Sequence, residues 1–196
     1  MALLAASALV VVLGLQNRGL REDRDRLTDR AAYAYAGMYV PVVDAPRIDG
    51  GRLALGAPDG EMQVLFFFNE TCPYCLRSAP TVVETATSLK REFGDRVSLV
   101  GVCQCAPATA LGYVKTHGFT FPVVTVNAQR ALALYRARGV PMLLAVDREG
   151  RVRHAIQGVF DTKGQVDRLF AELRRTDAAT RSASTLASTT ASKEGT

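Results

Sequence analysis

The four cysteines of this 196-residue chain stand in two tight pairs, Cys72/Cys75 and Cys103/Cys105. A small scaffold stapled by disulfides spreads its cysteines through a shorter chain, so this clustering points to local sulfur chemistry or a metal site. The first pair carries the stronger constraint. In FFFNETCPYCLRSAP, the mostly apolar stretch MQVLFFF, Met62 to Phe68, reads as a buried strand that passes into a helix beginning near Cys72. Cys75 follows three residues later, about one helical turn on, so the two sulfurs can bond. The unpaired amides and positive dipole end of the first turn favour a thiolate at Cys72, while Cys75 is carried inward. Pro73 gives up an amide that the first turn cannot use. On this reading Cys72 attacks and Cys75 resolves.

The competing reading of Cys-x-x-Cys is half of a zinc site, with Cys103 and Cys105 as the other half. Structural zinc prefers spacings of roughly two to four residues in loop knuckles, and neither His117 nor His154 stands at ligand spacing, so redox chemistry is favoured and neither metal nor cofactor is expected. Cys103 and Cys105 follow the apolar run VSLVGV. If that run is a parallel strand, its carboxyl end faces the same crevice as the start of the Cys72 helix. A second redox pair exchanging with the first is one reading. Free thiols or a facultative bond are the other, because a ring closed over one intervening residue is strained.

The remainder alternates apolar runs with amphipathic stretches, which predicts an α/β architecture, a central mixed sheet flanked by helices. Strands are expected over Met62–Phe68, Val97–Val102, Phe121–Val126, Met142–Asp147 and Arg151–Ile156, the last two joined through Gly150 as a hairpin. Helices are expected from Cys72, with Val82, Ala86, Leu89 and Phe93 on one face and Pro80 kinking it, and over 108–117 and 128–136. A last helix follows Thr162 as N-cap, with Val166, Leu169, Phe170 and Leu173 inward. A small hairpin is expected over residues 47–60, around Gly50-Gly51 and Asp59-Gly60.

The ends differ from the middle. Residues 1–17 carry no charge; as a helix they span about 25 Å against a hydrocarbon core of roughly 30 Å, and they are read as a membrane anchor. Residues 18–39 read as a charged helical spacer, and 176–196, dominated by Ser, Thr and Ala, as a disordered tail that cannot bury enough to offset its ordering entropy. The arginines from Arg18 to Arg30 all follow the apolar run, which by the positive-inside rule would hold the domain on the cytoplasmic side. Net charge is +5, but Lys and Arg are interspersed with acids and no aromatic residue interleaves a basic run. Nucleic acid is not expected as a partner.

From Val40 to Phe170 the chain resembles thioredoxin-fold proteins, more closely the membrane-anchored TlpA/ResA-like thiol-disulfide oxidoreductases of the redoxin (AhpC/TSA-like) group. The residues that carry the resemblance are Cys72-Pro73-Tyr74-Cys75, Pro80, and Gly139-Val140-Pro141 before a strand, similar to the family's cis-proline loop. Residues 108–126 resemble its helix-strand insertion and DREGRV its following hairpin. The resemblance implies a thioredoxin-like domain over 40–175, catalytic Cys72 and Cys75, supporting Pro73, Tyr74 and Pro141, and a backbone site for extended substrate at Val140 and Pro141. It further implies protein disulfides as substrates, a separate electron donor, and a periplasmic or otherwise extracytoplasmic domain. Three positions depart from the pattern: Phe66 stands where thioredoxins bury a proton-moving acid, Thr71 replaces the usual Trp, and Ser78 replaces the Glu of many ResA-like proteins.

The resulting expectation is a thiol-disulfide oxidoreductase of cell-envelope proteins, serving cytochrome c or periplasmic enzyme maturation. One alternative is a redoxin-type peroxidase, which needs a Thr three residues before its reactive cysteine, where Asn69 stands. The other is a copper-handling module, since soft thiolates suit Cu(I); it needs three residues between the cysteines and a well-placed His. His154 falls on an alternating strand and reads as a surface histidine.

Overall fold

The structure, a computed structural model, describes residues 2–191. It divides into two units, a helix within residues 1–33 and a compact body beginning at Ala34.

The first unit is helix α1, Ala2–Ala32. Its residues Leu9 to Leu13 and Leu15 are exposed. Among the described residues no helix is long and apolar enough to cross a membrane. The anchor expected over 1–17 is therefore not supported: the uncharged run stops at Asn17, short of the roughly 20 apolar residues a span needs, and Arg18 onward adds charge to the same helix.

The body is built on a five-stranded sheet in the order β7-β6-β3-β4-β5, beside a two-stranded hairpin of β1 (Val43–Pro46) and β2 (Arg52–Leu55). β3 (Met62–Phe68) is central and every one of its residues is buried. It pairs parallel with β4 (Val97–Cys103), placing Phe68 opposite Cys103, and antiparallel with β6 (Met142–Asp147), placing Phe67 opposite Met142. β5 (Val123–Thr125) adds parallel to β4, and β7 (Val152–Gln157) forms the expected hairpin with β6. The mixed α/β sheet inferred from the alternating pattern is present.

Alternation along β3 makes two cores. Val64, Phe66 and Phe68 join Val82, Leu89 and Phe93 of α2 (Pro73–Phe93), Tyr113 of α3 (Pro107–His117), and Leu169 and Leu173 of α5 (Lys163–Ala191). Leu65 and Phe67 face the other way, toward Val43, Leu55 and α4 (Ala128–Tyr135) with its Ala131 and Tyr135. Each fully buried Phe contributes roughly 1.5–3 kcal/mol by leaving water. Gly101 of β4 is required here: a Cβ would lie 2.9 Å from Val123 Cγ2 and 3.2 Å from Phe68 Cε1.

Helix ends follow local chemistry. α2 starts on Pro73 and continues through Pro80 without ending there. Before α5, Gln165 N donates to Thr162 Oγ1 at 3.4 Å while Thr162 N donates to Gln165 Oε1 at 3.1 Å, so the expected N-cap is a reciprocal capping box. Two boundaries differ from the sequence reading. Residues 34–39 belong to the body rather than to a spacer, because Val152 N donates to Met38 O and Gly37 N to Val152 O. Helix α5 runs on to Ala191 through much of the segment read as disordered. Asp177 accounts for its first turns: it is buried and takes a 2.8 Å hydrogen bond from Arg96 Nε. Residues 192–196 of that expected tail lie outside the described residues.

Candidate active site

Cys72 is the N-cap of α2, with extended backbone, Pro73 as the first helical residue, and Cys75 in the first turn. The Cys75 and Leu76 amides donate to the Cys72 carbonyl at 3.0 and 3.1 Å, so the two cysteines are held by the closing of that turn. Both are free thiols. Cys72 is partly exposed and Cys75 is fully buried. That is the asymmetry expected of an attacking and a resolving sulfur.

On one side of Cys72 lies the loop before β6. The Val140–Pro141 peptide bond is cis, and the Cys72 Sγ thiol donates to the Val140 carbonyl at 3.5 Å. The structure thus brings the predicted Val140, Pro141 and Cys72 together. The Pro141 carbonyl is occupied from behind by Gly158 N at 2.9 Å. Tyr74, 59% exposed, and Leu76, 41% exposed, leave an open apolar rim around the half-exposed sulfur.

On the other side lies the turn after β4, and here the structure shows contacts that motif reading does not reach. Cys103 and Cys105 are joined as a disulfide. Asn69, the first residue after β3, donates through Nδ2 to Gln104 O at 2.9 Å, and its Oδ1 accepts from Thr71 N at 2.9 Å and Thr71 Oγ1 at 2.7 Å. Gln104 N in turn donates to Phe68 O at 2.8 Å. The Glu70 carboxylate lies with the Cys103 and Cys105 sulfurs in a group whose atoms are all within 4.8 Å of one another. This is not the set of the zinc reading, which paired Cys72 and Cys75 with Cys103 and Cys105, and sulfurs bonded to each other offer no thiolate to a metal.

Burial pushes the Cys75 thiol up to about 12, with the Cys72 sulfur adding to the rise and a hydrogen bond from the Asn69 amide opposing it. Phe66 fills the place where an acid would sit, stacked on Phe68 at 5.6 Å. Tyr113 of α3 was not singled out by the sequence. Its ring centroid lies 4.9 Å from that of Phe68, its buried hydroxyl has no hydrogen-bond partner among the described residues, and burial, with a smaller contribution from Cys75 and Cys72, pushes its phenol up. Tyr113 thus brings a buried phenol into the same apolar cluster as Cys75. The clue in the sequence was only its place in a helix inserted beside the motif.

Ser78 is fully buried; its Oγ donates to Tyr74 O at 3.0 Å and accepts from Phe160 N at 2.9 Å, tying α2 to the segment before α5. A Ser here clamps backbone where the resembling proteins carry an acid. His154 is half-buried rather than a surface histidine, with Nε2 enclosed and burial pushing its imidazole down. A groove lined by Asp59, Leu99 and Phe121 lies at the start of β4. Cys103 ends that strand, four residues or about 13 Å beyond Leu99, and none of the four cysteines lines the groove.

No curated protein matches the chain. Solved structures do. Peroxidoxin BcpB from Mycobacterium tuberculosis is 21% identical with a TM-score of 0.60, covering 73% of this chain and 98% of its own. StoA from Bacillus subtilis is 18% identical with a TM-score of 0.56, covering 68% and 96%. A secreted Mycobacterium tuberculosis disulfide oxidoreductase homologous to E. coli DsbE is 18% identical with a TM-score of 0.55, covering 68% and 95%. At such identities they establish the thioredoxin-like fold. The family model described as Redoxin matches residues 35–173, which spans the sheet, the cis-proline loop and both cysteine pairs. The chain belongs to the Redoxin family of thioredoxin-fold oxidoreductases.

Proposed function

We propose that this chain is a thiol-disulfide oxidoreductase that reduces or exchanges disulfides in protein substrates through Cys72 and Cys75. The observation that carries the reading is the pairing of a half-exposed Cys72 thiol at a helix start with a fully buried Cys75, beside the cis Val140–Pro141 loop. When Cys72 ionises it ceases to donate to the Val140 carbonyl, which becomes free to accept an amide from an extended substrate strand. The Cys72 thiolate attacks one sulfur of the substrate disulfide, a mixed disulfide forms, and the other substrate sulfur leaves and takes a proton. Cys75 then loses its proton, attacks Cys72, and releases the second substrate thiol. The oxidised pair is returned to the dithiol by an external dithiol donor.

Asn69 weighs against the peroxidase reading. Its side chain is already committed to Gln104 and Thr71, and no Thr hydroxyl stands at that position to orient a peroxide. The half-buried His154 on β7 and the two-residue gap between Cys72 and Cys75 do not assemble a copper site. The bonded Cys103–Cys105 pair supports clients in an oxidising compartment such as the cell envelope, since glutathione and thioredoxin systems keep cytosolic thiols reduced. Ser78 in place of an acid gives no support to apocytochrome thiols over other clients.

The test is trapping. Purified Cys75→Ser protein incubated with envelope extract should retain client proteins on Cys72 that a reductant releases. Adducts that also form on Cys72→Ser, or none on either variant, would contradict the proposal.

A further inference from the structure

The two cysteine pairs lie on adjacent turns at the carboxyl ends of parallel neighbours β3 and β4. The turns are bonded to each other by Gln104 N to Phe68 O and by Asn69 Nδ2 to Gln104 O. Cys103 and Cys75 are fully buried in one apolar cluster, and Cys72 and Cys105 both pack against that same cluster from its edge. The pairs stand in opposite oxidation states: Cys103–Cys105 is bonded, while Cys72 and Cys75 are thiols. A disulfide donor and a dithiol are thus held beside one another within one chain.

We propose that Cys103–Cys105 is a second redox-active pair that exchanges electrons with Cys72/Cys75 inside the molecule, so that one chain stores two disulfide equivalents. The proposal rests on the reading of Cys72 and Cys75 as an exchanging dithiol. Cys105 is the sulfur attacked, because it is partly exposed whereas Cys103 is fully buried. The Cys72 thiolate forms a bond to Cys105 as the Cys103–Cys105 bond breaks, and the electron pair leaves on Cys103, which takes a proton from water. Cys75 gives its proton to water and attacks Cys72; the Cys72–Cys75 bond forms, the Cys72–Cys105 bond breaks, and Cys105 is protonated in turn. The disulfide moves from one pair to the other, two electrons move the opposite way, and no outside oxidant or reductant enters.

The test uses the full chain, oxidised at both pairs, given one equivalent of dithiothreitol, quenched with acid over time and mapped by alkylation and mass spectrometry. In the wild type the Cys72–Cys75 bond should open first, then close again as Cys103 and Cys105 become alkylatable. In Cys72→Ser, opening of Cys103–Cys105 should slow by more than about fivefold, since thiol-disulfide exchange depends on the attacking thiolate; a smaller change overturns the relay. Cys72 is partly exposed, so serine there leaves the packing intact. In Cys75→Ser the attack has no resolving thiol, and a peptide bridging Cys72 to Cys105 is expected; recovery of Cys103–Cys105 alone contradicts the proposal. Insulin reduction by the wild type is read alongside. Activity toward insulin with opening independent of Cys72 sinks only the relay, whereas an inert wild type sinks the underlying dithiol reading.

Discussion

The connections from β3 to α2 and from β4 to α3 share an outline: a pair of cysteines lies at each, and each leads into a helix whose first residue is proline, Pro73 or Pro107. They differ in where the helix takes up the chain. After β3 the cysteine itself is the N-cap, so Cys75 falls on the inner face of the first turn and both sulfurs remain thiols. After β4 the N-cap is Ala106, one residue past Cys105, so neither sulfur enters the helix: Cys103 ends the strand, Cys105 lies in the turn, and the two bond to each other. The first pair also meets the cis Val140–Pro141 loop on its open side, and the second meets the Glu70 carboxylate. The place of each pair relative to its helix start therefore separates a partly exposed thiol with a buried neighbour from two sulfurs bonded to each other.

The largest expected effect comes from removing the inward sulfur. Cys75→Ser should cut steady-state disulfide reduction by about 100-fold while a Cys72-linked intermediate accumulates, because release of the mixed disulfide loses its nucleophile. Gel analysis under non-reducing conditions reads it, and turnover without a trapped species would erase the distinction between the two cysteines.

The next effect concerns pH. Folding raises the Cys75 thiol from an ordinary value of 9.0 to about 12, chiefly by burial. Below 9 the group is a thiol in both folded and unfolded chains, and its contribution to stability is fully present. That contribution is lost as pH rises toward 12, because the unfolded chain ionises first. The reduced protein should therefore lose stability over this window relative to the oxidised form, whose Cys75 does not titrate. In single turnover, release from Cys72 should quicken by about tenfold per pH unit above neutrality, as the Cys75 thiolate fraction grows. A release rate flat from pH 7 to about 9 would place the rate-limiting proton elsewhere.

Smaller effects test the connection between the turns. Asn69→Ala removes the bonds to Gln104 and Thr71 and should lower stability by about 1–2 kcal/mol, measured by urea unfolding. Tyr113→Phe removes a buried hydroxyl that has no hydrogen-bond partner, so stability should change by less than about 0.5 kcal/mol. Release from the mixed disulfide should slow by about two- to fivefold if the phenol donates toward the departing thiolate, and unchanged release would leave Tyr113 a packing residue.

How much of this was legible in the sequence follows from how local each signal is. β3 and β6 are mostly apolar, interrupted only by Gln63 and closed by Asp147, and their strands fall where the apolar residues fall. The Cys72 helix start and the cis-proline loop were legible because a short motif carries each. What escaped depends on contacts between segments far apart in the chain. Tyr113 enters the cluster that holds Cys75 only because α3 packs against Phe68, and Asn69 joins Gln104 across 35 positions. The Cys103–Cys105 bond was left open by the sequence, since ring closure over one residue is decided by the backbone around it. At the ends composition was a weak guide: among the described residues no helix is long and apolar enough to cross a membrane, and a Ser, Thr and Ala-rich segment continued as helix behind the buried Asp177.

A redox titration of the full chain against a graded series of reduced and oxidised dithiothreitol, with Cys72 and Cys75 followed by alkylation, addresses the chemistry itself. The two thiols should vanish and return together as one reversible two-electron couple, at a potential between roughly −270 and −120 mV as in other proteins of this fold. Cysteines that stay alkylatable across the whole series, or that oxidise one without the other, would contradict it.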